Sequence, residues 1–312
     1  MTMPVLISVD WGTTALRCCA VAADGYVLET RDGGPGILAV EQGRFAEALD
    51  NEIARWSPAG AALPVLMSGM IGSRQGWLEA LYLPCPATPL GLAEGLTAVP
   101  ARTGGACHIV PGLVMQRPGE PPDVMRGEET QIIGALAASL QTNGLFVLPG
   151  THSKWAAVTG GAITSFETYM TGEMFAALRH HTILARLMPE GHSPFDPAAF
   201  DRGVASGAAD GPPGALLHRL FSTRTLGLFD HLLPAALESY LSGLLIGAEL
   251  AAATRTSDAK SFTIIGSVLL SDRYQRAARQ LNLNATTAPA DCAARGHYAV
   301  AKTAGLLKAS AR

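Results

Sequence analysis

The alternation of apolar runs and turn residues at the start of the chain predicts three antiparallel strands. A strand at residues 5–9 ends at the polar turn of residues 10–14. A second strand, at residues 15–22, ends at Asp24-Gly25, a dipeptide that favours hairpin turns. A third strand is expected at residues 26–31, so the N-terminal segment is predicted to form a three-stranded meander.

The same order of elements recurs in the second half of the chain. Strands are expected at residues 145–148, 154–159 and 162–168. The Gly-Thr pair at residues 150–151 stands where the Gly-Thr pair at residues 12–13 stands in the first half, and a Gly-Gly turn at residues 160–161 matches the first hairpin turn. Two Gly-Thr turns in matching three-strand contexts indicate an internal duplication.

Helices and single strands are predicted around these two blocks. Apolar residues at helical spacing predict helices near residues 45–56, 128–140, 237–248, 272–281 and 293–309. Buried strands at residues 65–67 and 262–265 each end at a pair of Gly and Ser residues. Gly243 and Gly247 inside a helix indicate close packing of another element or of a ligand. The Pro- and Gly-rich segment 84–122 shows little pattern.

Composition excludes several classes of protein. The chain has 312 residues, of which 48% are hydrophobic and 16% charged, so it can form cores, and two domains of about 150 residues are expected. A net charge of −3 without a basic tract argues against nucleic acid or an anionic membrane as a main partner. Five cysteines without a Cys-x-x-Cys pair argue against disulfides and a cysteine zinc site. The N-terminus lacks a signal-peptide pattern, so a cytoplasmic location is expected.

The turn after the first strand has the composition of an anion-binding loop. Gly12 allows a ligand close to the backbone, and Thr13 and Thr14 add hydroxyl donors to the backbone N–H groups. Asp10, at the end of the strand, could hold a hydrated Mg²⁺ ion, and Arg17 could reach a phosphate. The alternative is an ordinary hairpin turn with a surface Asp.

The corresponding turn in the second half has the same character. Gly150, Thr151 and Lys154 supply flexible backbone, a hydroxyl group and a cation, so the two turns together could hold a polyphosphate from two sides. His152 is expected to be a hydrogen-bonded structural residue rather than a catalyst, and its spacing from the other histidines indicates no metal site.

Two further segments carry groups that suit a polar, acidic small molecule. Glu128 begins a predicted helix, where it either caps the helix or acts as the general base for a substrate hydroxyl. The loop after residues 65–67 carries Arg74 and Gln75, which suit a carboxylate and hydroxyl groups, unless it is simply an exposed loop. The helix that begins at Glu128 lies at the join of the two repeats, where a cleft is expected. For Glu128 we therefore favour the role of general base over that of a helix cap.

These motifs resemble those of a known superfamily. Residues 10–17, Asp-Trp-Gly-Thr-Thr-Ala-Leu-Arg, resemble the first phosphate motif of sugar kinases in the actin/hexokinase superfamily and are close to that of the glycerol kinase group. Residues 126–129 resemble the segment that carries the catalytic carboxylate of that group. Residues 150–151 resemble its second phosphate motif, and residues 265–267 resemble its adenosine motif.

Three longer segments resemble the 2-dehydro-3-deoxygalactonokinase family, and the resemblance covers nearly the whole chain. They are residues 124–131, 148–155 and 170–174. The resemblance implies transfer of phosphate from ATP, with Mg²⁺, to the 6-hydroxyl of 2-dehydro-3-deoxy-D-galactonate. The product, 2-dehydro-3-deoxy-6-phospho-D-galactonate, would feed an aldolase in galactonate catabolism.

The resemblance also implies roles for individual residues, with Glu128 as the base and Asp10 as the Mg²⁺ ligand. The implied phosphate ligands are Gly12, Thr13, Thr14, Arg17, Gly150, Thr151 and Lys154. Gly266 and Ser267 would lie near the nucleoside. The candidates for the sugar acid are Trp11, Arg74, Gln75 and Arg126. Because Glu replaces the Asp of the glycerol kinase group, the choice between Glu128 and Glu129 stays open. The choice among the three arginines for the substrate carboxylate stays open as well.

The predicted fold is α/β, with two RNase H-like domains of the actin-type ATPase class and an active-site cleft between them. Residues 1–134 would bind the sugar acid and carry the first phosphate loop, and residues 135–312 would carry the second loop and bind adenosine. The expected partners are ATP and a small sugar acid, with no nucleic acid or membrane, and a homodimer is a candidate assembly. The alternatives are a kinase of this fold for another sugar and, with less support, a nucleotide-dependent switch or chaperone-like ATPase.

Overall fold

The computed structural model describes residues 3–41, 43–56, 62–100, 105–255 and 260–307. The described residues divide by their contacts into two compact units. Unit 1 lies within Met1–Gly144, Ala156–Phe166 and Ala288–Arg312, and unit 2 lies within Leu145–Trp155 and Glu167–Thr287. The described C-terminal residues thus belong to unit 1, whereas the sequence-based division at residues 134 and 135 assigns them to the second domain.

Both halves of the chain contain strands and helices. The strands are β1 (Leu6–Trp11), β2 (Ala15–Val21), β3 (Val27–Pro35), β4 (Val65–Ser68), β5 (Tyr82–Pro84), β6 (Thr97–Ala98), β7 (Cys107–Ile109), β8 (Gly112–Met115), β9 (Asp123–Met125), β10 (Gly144–Leu148), β11 (Ser153–Thr159), β12 (Ala162–Tyr169), β13 (Ser261–Ile264) and β14 (Asn284–Thr287). The α-helices are α1 (Phe45–Ile53), α2 (Pro89–Glu94), α3 (Glu128–Ser139), α4 (Thr171–His181), α5 (Pro197–Ala208), α6 (Ala215–Leu220), α7 (Ser222–Leu228), α8 (Leu237–Arg255), α9 (Val268–Gln280) and α10 (Cys292–Thr303).

The first sheet has the strand order β3-β2-β1-β4-β7-β6. Strand β1 pairs antiparallel with β2 and parallel with β4, and β2 pairs antiparallel with β3, so the predicted meander is confirmed. Ile7, Val9 and Trp11 on β1 lie in one buried cluster with residues of α1. Because β1 is a central strand with both faces covered, five of its six residues are buried instead of alternating with exposed ones.

The second sheet repeats the order of the first. Its strands run β12-β11-β10-β13-β14, which corresponds to β3-β2-β1-β4-β7. In both sheets the fourth and fifth strands are parallel, and the first of them is parallel to the central strand. The internal duplication that the two Gly-Thr turns indicate is therefore confirmed, and each turn follows the equivalent strand of its sheet, β1 or β10.

A small third sheet occupies part of the segment that the sequence left unassigned. Strands β5, β8 and β9 form it, with β8 central. Strand β9 ends at Met125, three residues before α3 begins at Glu128. The sheet therefore leads the chain directly into the helix that carries the candidate base.

Helix α8 is the core helix of unit 2. The stretch Pro234–Arg255, which contains α8, is long and apolar enough to cross a membrane, but 72% of its apolar 18-residue segment is buried within the fold. A Cβ atom on Gly243 would lie 2.1 Å from the carbonyl oxygen of Phe200, and one on Gly203 would lie 2.2 Å from that of Tyr240. These glycines allow α5 and α8 to pack backbone against backbone. The predicted close packing is confirmed, with a helix as the partner.

Helix α10 packs against α3 and β1 in unit 1. Its His297 is fully buried, and its Nδ1 lies 2.7 Å from the Oγ of Ser8 on β1. Burial lowers the pKa of His297 to about 3, because the interior disfavours the imidazolium. The native protein therefore holds this imidazole neutral.

We expect this histidine to make the protein acid-sensitive. The unfolded chain binds a proton below about pH 6.5 and the native state does not until about pH 3, so stability is full above pH 6.5 and falls as the pH drops. Between pH 7 and pH 5 the loss should be about 2 kcal/mol. Urea unfolding of wild type and His297→Gln at both pH values measures how far the free energy of unfolding falls between them. The fall should be smaller in His297→Gln. An equal fall in wild type and variant would contradict the buried neutral imidazole.

Candidate functional site

Asp10 lies at the carboxyl end of the central strand of the first sheet. Its neighbours in register are Arg17 on β2 and Ser68 on β4. Burial raises the pKa of Asp10 to about 6; the Arg17 guanidinium lowers this pKa and the Glu128 carboxylate raises it. The repulsion by Glu128 means that two acidic groups share this end of the sheet.

Two glycines bring these carboxyl groups together. Gly69, after β4, has φ +90°, and a Cβ there would lie 2.8 Å from the carbonyl oxygen of Trp11 and 3.4 Å from Oδ1 of Asp10. Gly127, before α3, has φ +106°, and a Cβ there would lie 3.1 Å from the Cα of Gly69. Side chains at either position would push the start of α3 away from the end of β1. The local sequence thus places Glu128 next to Asp10.

The two adjacent glutamates have different environments. Glu128 is half-buried and accepts a hydrogen bond of 2.9 Å from the backbone N–H of Arg126. Glu129 is 0% exposed, and its oxygens accept hydrogen bonds from the Gly127 N–H at 2.7 Å and the Thr130 hydroxyl at 2.9 Å. Burial raises the pKa of Glu129 to about 8, and the charge of Glu128 raises it further. Of these two glutamates, Glu128 is the one that combines partial exposure with an electrostatic effect on Asp10.

The turn after β1 is closed and partly exposed. The N–H of Gly12 donates to the carbonyl oxygen of Ala15 at 2.9 Å, and Thr13 and Thr14 are exposed. Gly36 lies flat against this turn, since a Cβ there would lie 2.3 Å from the carbonyl carbon of Thr14. The turn is therefore held from behind while its hydroxyl groups face solvent.

Arg17 is half-exposed and paired with Asp32 of β3. Both residues, with Asp10, line a cavity of about 260 Å³ in unit 1, which Asp291 at the start of α10 also borders. Among the described residues no group of three or more His, Cys, Asp or Glu side chains could hold a metal ion. Mg²⁺ is usually held by one or two carboxylates plus phosphate and water oxygens, and Asp10 beside Glu128 fits that donor set.

Trp11 corrects one sequence-based assignment. Its side chain is 0% exposed and packs edge-on against Phe45, with 5.8 Å between ring centroids, and its Nε1 donates to the carbonyl oxygen of Pro35 at 2.9 Å. Strand β1 turns this side chain into the core of the sheet. The prediction that Trp11 contacts the sugar is therefore wrong.

The candidate arginines differ in what they already bind. Arg74 is exposed beside the exposed Gln75 and pairs with Glu79 at 2.9 Å. Arg126 is 9% exposed, lies 4.2 Å from the ring centroid of Tyr82, and donates from Nη2 to the carbonyl oxygen of Ala80 at 2.7 Å. Its Nε and Nη1 have no hydrogen-bond partner among the described residues. Such buried donors are costly unless an acceptor reaches them.

The second Gly-Thr turn lies in unit 2. Gly150 has open space around it and Thr151 is exposed. Gly172, at the start of α4, presses on this turn, since a Cβ there would lie 2.3 Å from the Gly150 carbonyl oxygen. Lys154 is 5% exposed, and its Nζ donates to the carbonyl oxygen of His152 at 3.3 Å. His152 itself pairs with Glu173 of α4, in keeping with its predicted structural role.

The predicted adenosine residues lie beside this second turn. Gly266 is exposed and close to Pro149, because β10 and β13 are parallel neighbours and end at the same edge. Ser267 caps helix α9 by accepting a hydrogen bond of 3.4 Å from the N–H of Leu270. The structure thus brings Gly150, Gly266 and Ser267 to one edge of the second sheet.

A buried polar network behind the second turn was missed at the sequence level. Glu249 of α8 is buried and accepts hydrogen bonds of 2.8 Å from Trp155 Nε1 and from the Tyr274 hydroxyl. The Oγ of Ser153 lies 3.1 Å from the same hydroxyl. Burial raises the pKa of Glu249. A lone Glu in the apolar stretch of α8 was the available signal, and the network anchors β11 directly after the turn.

The repeated strand order, with a polar turn after the first strand of each sheet and acidic groups at the end of β1, defines an actin-like ATPase fold. The predicted fold class is confirmed. A solved activator of the 2-hydroxyisocaproyl-CoA dehydratase from Clostridium difficile, with bound ADPNP, matches 97% of this chain and 96% of that chain with a TM-score of 0.50. At 11% identity, this likeness shows the fold alone.

The chain belongs to the 2-dehydro-3-deoxygalactonokinase family, whose sequence model (described as 2-keto-3-deoxy-galactonokinase) it matches over residues 10–300. A relative assigned this activity in Rhizobium meliloti is 37% identical over 95% of this chain and 96% of its own length. The 2-dehydro-3-deoxygalactonokinase of Escherichia coli is 35% identical over 92% of this chain and 94% of its own length. A crystal structure assigned to the same family, from Sinorhizobium meliloti, covers 95% of this chain and 98% of that chain with a TM-score of 0.87 and 36% identity.

Proposed function

We propose that the protein transfers the γ-phosphoryl group of ATP to the 6-hydroxyl of 2-dehydro-3-deoxy-D-galactonate. The product is 2-dehydro-3-deoxy-6-phospho-D-galactonate, an intermediate of galactonate catabolism. The observation that carries this proposal is the half-buried carboxylate of Glu128 at the start of α3, beside Asp10, in a chain of this kinase family. Phosphoryl transfer asks a protein mainly for positioning and charge stabilisation. The two carboxylates would position the hydroxyl group and a metal ion, and the two Gly-Thr turns would supply the charge stabilisation.

In the proposed reaction Glu128 is the general base. Its carboxylate accepts the proton of the 6-hydroxyl as the oxygen bonds to the γ-phosphorus, while the bond to the β–γ bridging oxygen breaks and ADP leaves. Asp10 is the proposed ligand of Mg²⁺, which would neutralise phosphate charge when bound. The burial of Glu129 supports Glu128 as the base, since both oxygens of Glu129 are already hydrogen-bonded inside the protein.

The nucleotide ligands are proposed from both Gly-Thr turns. In unit 1 they are Gly12, Thr13, Thr14 and Arg17, and in unit 2 they are Gly150, Thr151 and Lys154 for phosphate, with Gly266 and Ser267 near the nucleoside. Exposed hydroxyl groups and open space at Gly150 support this assignment. Arg17 already carries Asp32 as a partner, so phosphate would compete with or share that ion pair.

Among the three candidate arginines, we propose Arg126 as the receptor of the substrate carboxylate. Arg17 pairs with Asp32 and Arg74 with Glu79, whereas Nε and Nη1 of Arg126 have no hydrogen-bond partner among the described residues. The positively charged guanidinium of Arg126 therefore keeps N–H donors that can bind an incoming carboxylate. Arg74 and Gln75 remain candidates for the sugar hydroxyl groups.

We expect Arg126→Lys to raise the KM for the sugar acid by about 10- to 100-fold and to leave the KM for ATP unchanged, because lysine keeps the charge but loses the planar guanidinium and its unpaired donors. Steady-state kinetics with each substrate varied in turn measures both constants. The matched control is Arg179→Lys, since Arg179 is also buried, at 5% exposure, and donates a hydrogen bond to Glu238 of unit 2. An unchanged sugar-acid KM in Arg126→Lys would contradict the assignment.

The proposed function is tested by coupled detection of ADP release with ATP, Mg²⁺ and a panel of sugar acids and neutral sugars. Release that depends on 2-dehydro-3-deoxy-D-galactonate is the expected result. Release with a different sugar would keep the kinase chemistry and overturn the substrate. Slow release that no sugar alters would favour the nucleotide-dependent switch, which family membership does not favour. We further propose a cytoplasmic enzyme that binds ATP and the sugar acid and neither nucleic acid nor a membrane, with a homodimer as the candidate assembly.

A further inference from the structure

Glu129 is a buried acid that the proposed reaction does not use. Its carboxyl group is fully enclosed at the start of α3, one residue after the proposed base. A buried carboxyl group is costly unless its oxygens are hydrogen-bonded, and here one oxygen accepts from Gly127 and the other from Thr130. The side chain of Glu129 therefore links Gly127, before α3, to Thr130, in the first turn of α3.

The turn that Glu129 holds is conformationally demanding. Gly127 has φ +106°, and its Cα side lies against Gly69, next to Asp10. Gly127 is buried, and among the described residues its N–H donates to the Glu129 carboxyl group, at 2.7 Å. Without that acceptor a buried N–H would be left unpaired, and the turn would be free to rotate this donor towards another partner. Glu128 follows the turn directly, so its position depends on it.

We propose that Glu129 is a positioning residue: its carboxyl group fixes the Gly127 turn and thereby holds Glu128 beside Asp10 in the geometry that proton transfer needs. This inference rests on the proposed kinase function and assigns to the two adjacent glutamates different tasks. Glu128 works through its basicity, whereas Glu129 works through the shape and hydrogen-bonding capacity of its side chain.

The two tasks respond in opposite ways to amide substitution. In Glu129→Gln the amide oxygen can accept from Gly127, and the amide N–H can donate to the Thr130 hydroxyl, which reverses from donor to acceptor. The turn is then preserved without any acid at position 129. In Glu129→Leu the volume is similar, but the Gly127 N–H loses its acceptor and the turn is released.

The experiment compares kcat and both KM values of wild type, Glu129→Gln, Glu129→Leu and Glu128→Gln. Glu129→Gln is expected to keep kcat within about threefold, since both hydrogen bonds survive. Glu129→Leu is expected to lower kcat by about 10²-fold, as displacement of a reacting group by about 1 Å does, with the KM for ATP unchanged. If Glu129→Leu does not fold, Gly127→Ala takes its place in the comparison. That substitution strains the same turn and leaves the Glu129 carboxyl group unaltered.

The control is Asp196→Ala, which removes a helix cap of similar geometry, 2.9 Å from Asp196 to the N–H of Ala199, in unit 2. It is expected to lower the unfolding midpoint and to leave kcat unchanged. A folded Glu129→Gln that loses about 10²-fold or more in kcat would overturn the proposal, as would a fully active Glu129→Leu. Wild type without sugar-dependent ADP release would instead contradict the proposed function, so the two failures are distinguishable.

Discussion

Replacing Glu128 by Gln is expected to lower kcat by about 10²- to 10⁴-fold with little change in ATP affinity. The amide keeps the size of the side chain and can still accept the hydrogen bond from the Arg126 N–H, so the start of α3 should be undisturbed. What is lost is the group that accepts the proton of the substrate hydroxyl. Removal of a negative charge next to Asp10 should also bring the pKa of Asp10 down from about 6.

Single-turnover kinetics together with equilibrium binding of ATP separates the chemical step from binding in this variant. The matched control is Glu47→Gln, because Glu47 is likewise a carboxylate in the first turn of a helix, α1, and is exposed. The control should retain wild-type kcat. Near-wild-type turnover in Glu128→Gln would remove Glu128 from the role of base and would direct attention to the neighbouring carboxyl groups.

Much of the fold follows from local sequence. Strands β1 to β3 and their repeat were predictable because short apolar runs punctuated by Asp-Gly and Gly-Gly leave few other conformations. The small sheet of β5, β8 and β9 was not, because its strands are short and its segment is rich in Pro and Gly. Nor does local pattern show that α10 returns to pack on α3 and β1, since that contact joins residues far apart in the chain.

The candidate site was predictable in its residue types more than in its contacts. Asp10, Glu128 and the two Gly-Thr turns stand out by motif. The buried state of Trp11 does not, since it follows from β1 being central in its sheet. Glu128 is half-buried and Glu129 is fully buried because they lie on different faces of α3. The sequence alone, with two identical adjacent residues, does not reveal this difference. The pairing of Arg17 with Asp32 likewise arises only when β2 and β3 align.

Close backbone contacts with α10 help to hold α3, the helix that carries Glu128. A Cβ on Gly134 of α3 would lie 1.8 Å from the carbonyl oxygen of Cys292 and 2.8 Å from the backbone nitrogen of Gly296, and a Cβ on Gly296 would lie 1.9 Å from the Thr130 carbonyl oxygen. Helices α3 and α10 therefore meet backbone to backbone. A methyl group here cannot be absorbed by a rotamer change, because backbone atoms surround it.

We expect Gly134→Ala to destabilise the protein by more than about 3 kcal/mol or to prevent folding, even though alanine is the better helix former. Urea unfolding of the purified variant, or the soluble yield if it does not fold, measures the effect. Gly91→Ala is the matched control, because a Cβ on this glycine of α2 would lie 3.7 Å from Thr88 Oγ1, an ordinary contact. That change should stabilise by about 0.5–1 kcal/mol. Changes of opposite sign in the free energy of unfolding would show that packing against α10, and not helix propensity, fixes the position of α3 and of its first residue, Glu128. Similar small changes in both variants would contradict the backbone contact.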